Sequence, residues 1–351
     1  MTMSMLRSLC ALAAAAALVV PAGQGLLAQD ATAQTVYTLA PDEEILRPES
    51  TIMVSAEGAD VVLVLSKGNG SAPSFFVFRE GKKTGPYPDI TGAMAAAYAG
   101  RKNAPGGSGD CAVYDPPDPP NGHPEPGPGA GGKQVVQFRG KSLGSHLMVF
   151  QALATPDGAT AFYTAGDSDK SWFGCSDGRV VSFGGVPEDM KFSPDGKNGA
   201  VMVKGKLTMA QMGDLGKLPP EKLAAAMKDM DSVLLYTIDG RSFGPFNGDA
   251  FNPSSFWYPK SSNDLYYRLD DGVFRNGALM FKTPSFDRCG FYPSPDGKSY
   301  ALYDYEKIVF SDGPSYPSPL DVAVFPRAGR TVFLWISLEN EKKIMVYERQ
   351  M

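Results

Sequence analysis

Apolar runs of strand length, broken by clusters of glycine, aspartate and proline, recur along nearly the whole chain. Two segments are near copies of each other, FSPDGKNGAVMV at 192–203 and YPSPDGKSYALY at 292–303. ATPDGATAFYT at 154–164 is a third copy and VFPRAGRTVFLW at 324–335 a degenerate fourth. The unit reads as a tight hairpin. Proline presets φ for a turn, aspartate bonds the nearby backbone, and glycine takes the positive φ that opens the next strand. The apolar residues on either side then pair across two strands.

A second turn series interleaves with the first, again between apolar runs, and its glycines are Gly81, Gly140, Gly178, Gly240, Gly277 and Gly313. Their spacings are 59, 38, 62, 37 and 36 residues, so three intervals share a period near 37 and two carry an insertion. Two hairpins per period make four strands, labelled a to d, the size of one propeller blade. Blade one is then a at 51–56, b at 61–66, c at 75–79 and d at 82–87. Strand a recurs near 94, 148, 190, 250, 289 and 322, giving seven blades. The last blade has no strand d before Met351, and VYTLA at 36–40 can supply it. The expectation is an all-β, seven-bladed propeller with four-stranded blades, closed by strand 36–40 joining the C-terminal blade so that no edge is left open.

The PDG turns at 154–164, 192–203 and 292–303 resemble the TolB-type (WD40-like) β-propeller repeats of bacterial periplasmic proteins, whose blades carry a FSPDGK turn. The resemblance implies the propeller fold and no catalytic residues. The family's extra N-terminal α/β domain has no room here, so its role in the Tol system is not implied.

Composition agrees with a turn-rich β protein: 39 glycines and 29 prolines accompany 43% hydrophobic and 20% charged residues. The net charge of −5 offers no basic footprint for phosphates, which argues against a nucleic-acid partner. Arg7 precedes an apolar run, LCALAAAAALVV at 9–20, too short to span a bilayer. Small residues then offer cleavage after Ala22, Ala28 or Ala33, the pattern of a signal peptide, assigned to 1–28. The mature chain, with a single propeller domain at 35–351, is expected to be periplasmic or secreted, monomeric and without a membrane span. Cys111, Cys175 and Cys289 remain, allowing one disulfide at most; buried free thiols are the favoured reading.

The two long intervals place insertions at 103–132, rich in proline and glycine, and at 207–231, which contains LPPEKLAAAMKDMD at 218–231. Both are expected between strands b and c, and so on one face of the disc. The first should be a semi-extended loop. The second has prolines at its start and Glu221 in its first turn, as a helix does. Leu223, Met227 and Met230 fall on one stripe of it, facing either the propeller or a partner.

Loops from d to a ring the channel mouth, and several carry an acid just before strand a: Asp89, Asp189, Asp249, Asp287 and Asp321, with His146 nearby. Such carboxylates could bind Ca²⁺ or a cationic group, or each could cap its own turn. No other cofactor is indicated. No GxSxG, HExxH or P-loop pattern appears, which leans away from catalysis. The expected function is an exported binding or scaffold protein, taking a protein partner, a small ligand or a saccharide on the face with both insertions. The alternative is a metal-assisted carbohydrate lyase or hydrolase with an acidic site at the channel mouth.

Overall fold

The computed structural model describes residues 31–46, 50–55, 58–68, 73–97, 99, 119, 122–283, 287–303 and 307–351. The signal peptide at 1–28, Cys111 and the 103–118 part of the Pro/Gly insertion lie outside the described residues. The chain forms seven antiparallel sheets in sequence order, a seven-bladed β-propeller. Blade one is Thr51–Ser55, Gly58–Lys67, Ser74–Arg79 and Lys82–Tyr87, matching the strands read from the turns. A further short strand, Glu43–Ile45, extends its inner edge by pairing Glu43 with Lys67. Blades three to six follow with strands a beginning at Met148, Val186, Phe256 and Phe291.

Blade seven supplies Pro319–Arg327, Arg330–Glu339 and Lys343–Gln350, and its fourth strand is Thr32–Thr38 from the other end of the chain. That strand runs antiparallel to the last one, from Thr32 opposite Glu348 to Thr38 opposite Lys343.

Burial grades outward along each blade because neighbouring blades cover one another's faces most completely near the axis. Strand b of blade three, Ala161–Gly166, is buried at every position, whereas the outer strand Lys82–Tyr87 of blade one is almost wholly exposed. The apolar clusters accordingly sit between blades. Phe162 and Phe173 pack with Met190, Phe192 and Val201 between blades three and four, and Phe251 and Phe256 pack with Leu235 and Tyr267 between blades four and five.

The PDG hairpins have a common lock. The hydroxyls of Thr155, Ser193 and Ser294 donate to Asp157, Asp195 and Asp296 at 2.6, 2.6 and 2.7 Å. The following glycines, Gly158, Gly196 and Gly297, take the left-handed φ values of 63°, 66° and 65° that close the turn.

Blade two departs from the expected period. Residues Ile90–Ala97 form a helix, α1, where a strand near 94 was expected. Its alanine-rich sequence favours helix, and Asp89 Oδ1 caps it by accepting the Gly92 N–H at 2.7 Å. Ala93 and Ala97 then bury against Val62, Val64 and Val77 of blade one. The described strands of blade two are Pro126–Pro128, Gln134–Phe138 and Lys141–His146. The cysteines also differ from one another. Cys175 is the expected buried free thiol, at the end of the strand Ser171–Cys175, but Cys289, in the turn Arg288–Gly290, is disulfide-bonded.

An ion pair of blade one is tied to the closing strand of the last blade. Glu43, 8% exposed, accepts from Lys83 and from Tyr37 of the closing strand, the latter at 3.0 Å. Burial alone would raise the Glu43 carboxyl, but the Lys83 ammonium, the Ala40 N–H and the Tyr37 hydroxyl outweigh it and hold the group below its ordinary 4.5. The contribution to stability is therefore complete above pH 4.5 and is lost as pH falls through the lower folded value. Lys83, raised above 10.5, loses its share only in stronger alkali. Glu43→Gln is expected to cost about 2 kcal/mol at pH 7, because Lys83 loses its counter-charge. It should also flatten the loss of stability of the wild type below pH 4.5; urea titrations at several pH values measure both effects.

Candidate functional site

The a–b and c–d hairpins lie on one face of the disc, here the hairpin face, and the b–c and d–a loops on the other. Residues 205–231 join strand b, Gly199–Lys204, to strand c, Ser232–Thr237, of blade four, so this insertion rises from the b–c face. It begins with helix α2, Met209–Gly213, and ends with helix α3, Pro220–Met230. Its root is fixed to blade three and to the following d–a loop. The Ala210 N–H donates to the Ser168 carbonyl at 3.0 Å and the Gly185 N–H to the Leu207 carbonyl at 3.1 Å.

Helix α3 buries Ala226, with Leu223 and Met230 half-buried beside it, and leaves Met227 57% exposed. The apolar stripe is thus divided. Leu223 and Met230 are partly committed to the protein itself, and Met227 is free to meet something else.

Residues 122–125, the described approach of the Pro/Gly insertion to its strand, lie on the opposite face, against the expectation that both insertions share one. Pro126 pairs with Val136 and Pro128 with Gln134, so the b–c turn of blade two is the short stretch 129–133. Residues 122–125 therefore enter strand b from the hairpin side. His123 confirms the placement, its Nδ1 accepting the Ala154 N–H at 3.1 Å beside the a–b turn of blade three. The period count misplaced the insertion because the strand it feeds, Pro-Gly-Pro, carries no strand propensity of its own.

The acids expected at the channel mouth have separate surroundings. Exposed Asp89 caps α1, Asp189 pairs with Lys191 at 3.5 Å, and Asp287 accepts the Cys289 N–H at 2.9 Å. Asp249 is exposed at a turn where its own N–H donates to Asn247 Oδ1 at 3.0 Å. Asp321 is buried and accepts the Ile52 N–H of blade one at 2.7 Å and the Val322 N–H at 2.8 Å. Among the described residues no three His, Cys, Asp or Glu side chains converge as a metal site.

His146 is the exception, for it enters a constellation that the sequence reading did not assemble. It ends strand d of blade two, is 7% exposed, and places Nδ1 3.2 Å from Asp167 Oδ2. Asp167, in the b–c loop of blade three, also accepts the Trp172 indole N–H at 2.9 Å and the Leu147 N–H at 3.1 Å. Burial would raise the Asp167 carboxyl, but the bonds from His146, Trp172 and Leu147 hold it below 3.8. An ionised carboxylate only accepts, so Nδ1 is the donor in this contact and Nε2 is the ring's other polar atom. That Nε2 is buried without a hydrogen-bond partner. Just outside the group, Leu147 and Met148 are 47% and 43% exposed on the b–c face, and the Lys170 ammonium stands 4.6 Å above the Trp172 ring. The available signal was Asp167 itself, set between the largely apolar run AFYTAG and a tryptophan five residues on.

Asp167→Ala is expected to cost about 2 kcal/mol, because three donors lose their acceptor together. In the wild type this contribution is present above pH 3.8 and fades as pH falls through the lower folded value. The urea midpoint, followed by tryptophan fluorescence, measures both, and an unchanged midpoint in the variant would remove the constellation from the stability of the seam.

No family model matches the chain, and no curated protein matches it. Among solved structures it is similar to the β-propeller domain of the Trilobed protease from Pyrococcus furiosus, at 12% identity over 89% of this chain and 96% of that one, TM-score 0.25. TolB from Acinetobacter baumannii aligns at 13% identity over 86% of this chain and 79% of that one, TM-score 0.22. The polysaccharide lyase Uly1 aligns at 10% identity over 86% and 89%, TM-score 0.26. The fold assignment rests on the seven sheets themselves.

Proposed function

We propose that the protein is an exported scaffold that holds a protein partner on its b–c face, with α3 as the docking element. One observation carries the reading. The blade-four insertion is fixed at its root, yet turns Met227 into solvent on the face that also exposes Leu147 and Met148. Large apolar side chains left in water lose free energy that a covering surface restores. The flexible thioether of methionine suits such an adaptable contact. Export is supported by the basic and apolar pattern of the N-terminal residues.

A second reading, a metal-assisted carbohydrate lyase or hydrolase, draws on His146, whose Nε2 makes no hydrogen bond among the described residues while Asp167 holds Nδ1. Metal content of the purified protein and turnover of a polysaccharide panel test that reading. For docking, a short Gly-Ser linker in place of residues 207–230 is expected to preserve cooperative unfolding and abolish photo-crosslinking to the partner. Met227→Asp should weaken capture at least about tenfold. Undiminished capture by the linker variant would rule out α3 as the docking element.

A further inference from the structure

We propose that the hairpin face holds a second, separate site, a cavity that takes a short zwitterionic peptide of di- or tripeptide size. The cavity of about 550 Å³ lies between the end of the Pro/Gly insertion and the adjoining edges of blades two and three. Its volume falls in the range of small-molecule sites. One wall is Pro124 and Glu125, held in place where His123 takes the Ala154 N–H. The other is the end of a blade-two strand and its turn, Gln137, Phe138 and Arg139.

The polar side chains on these walls keep hydrogen-bonding capacity. Arg139 sits in the left-handed region at φ 51°, which folds its guanidinium back over the Phe138 ring, 5.6 Å from the centroid. It has no salt bridge or hydrogen bond among the described residues. Asp157, whose carboxyl Arg139 helps to hold below its ordinary value after the Thr155 and Ala159 bonds, already accepts the Thr155 hydroxyl at 2.6 Å and the Ala159 N–H at 2.8 Å and makes no hydrogen bond to the guanidinium. The Glu125 carboxylate and the Gln137 amide are likewise without partners among the described residues.

One open guanidinium and one open carboxylate therefore share a cavity with an aromatic side chain and a proline-lined wall. The guanidinium fork matches a terminal carboxylate, the carboxylate matches a terminal ammonium, and Phe138 with Pro124 suits an apolar side chain between them. A polyanion would meet Glu125, and a neutral sugar would leave both charges unanswered. The site is independent of the docking reading, being on the other face of the disc and sharing none of its residues.

Calorimetric titration with the tripeptide Gly-Phe-Gly, its N-acetyl form and its C-terminal amide tests the proposal. Saturable binding of the free tripeptide is expected, weakened about fivefold by either modification, the scale of a partly exposed charge pair. In Arg139→Asn, a residue that tolerates the left-handed turn, the free acid and the amide should bind alike. In Glu125→Gln the free amine and the acetyl form should bind alike, and unchanged thermal midpoints would show that both variants fold. No saturable binding, equal binding of all three peptides, or discrimination that survives both substitutions would overturn the proposal.

Discussion

A blade of four strands cannot bury its two faces alone, so each sheet of a propeller is stable only between two neighbours, and the ring must close. Here closure joins residues more than three hundred positions apart, since Thr32–Thr38 pairs with Lys343–Gln350. Both sides of the resulting blade are sealed in the same manner, by apolar packing with a few directed polar contacts. Towards blade one, Leu39, Ile52, Leu63, Leu334 and Ile336 pack together while Asp321 holds the Ile52 N–H. Towards blade six, Trp335 packs on Phe310 at a ring separation of 5.4 Å. There Arg349 grips Asp312 through two bonds of 2.8 and 2.6 Å.

The closed ring gives the loops a rigid base, and the two faces use it differently. The hairpin face is built from short turns, several locked by hydroxyl–aspartate pairs, and carries the cavity beside Arg139. The b–c face carries the long insertion, exposed Leu147, Met148 and Met227, and the contact of His146 with Asp167. Blade seams are where the unusual chemistry gathers, because there side chains from different blades meet without sharing a strand.

What could be read from the residues follows this division between local and distant contacts. The PDG turn is complete within a few residues, Thr155 to Gly158 for example, so its copies disclosed blade number and register directly. The closing strand was legible because the last blade lacked a partner, although its extent, 32–38 against the expected 36–40, depends on pairing with β-residues 343–350. Blade two was misread because tertiary contacts overrule the period there: an alanine-rich segment becomes a capped helix, and Pro126–Pro128 becomes a strand only through the neighbour it pairs with. The periodicity of 218–231 located a helix, but the propeller surface decided that Ala226 would be buried and Met227 exposed. The contact of His146 with Asp167 spans two blades, and no spacing along the chain encodes it.

The dependence of the whole disc on its closing strand can be measured directly by comparing a chain that starts at Ala31 with one that starts at Leu39, using thermal unfolding and amide hydrogen exchange. Loss of the strand is predicted to lower the midpoint by several degrees and to strip protection from the amides of 343–350, with the effect spreading into the seams on either side of blade seven. Equal midpoints and equal protection in the two chains would contradict the account.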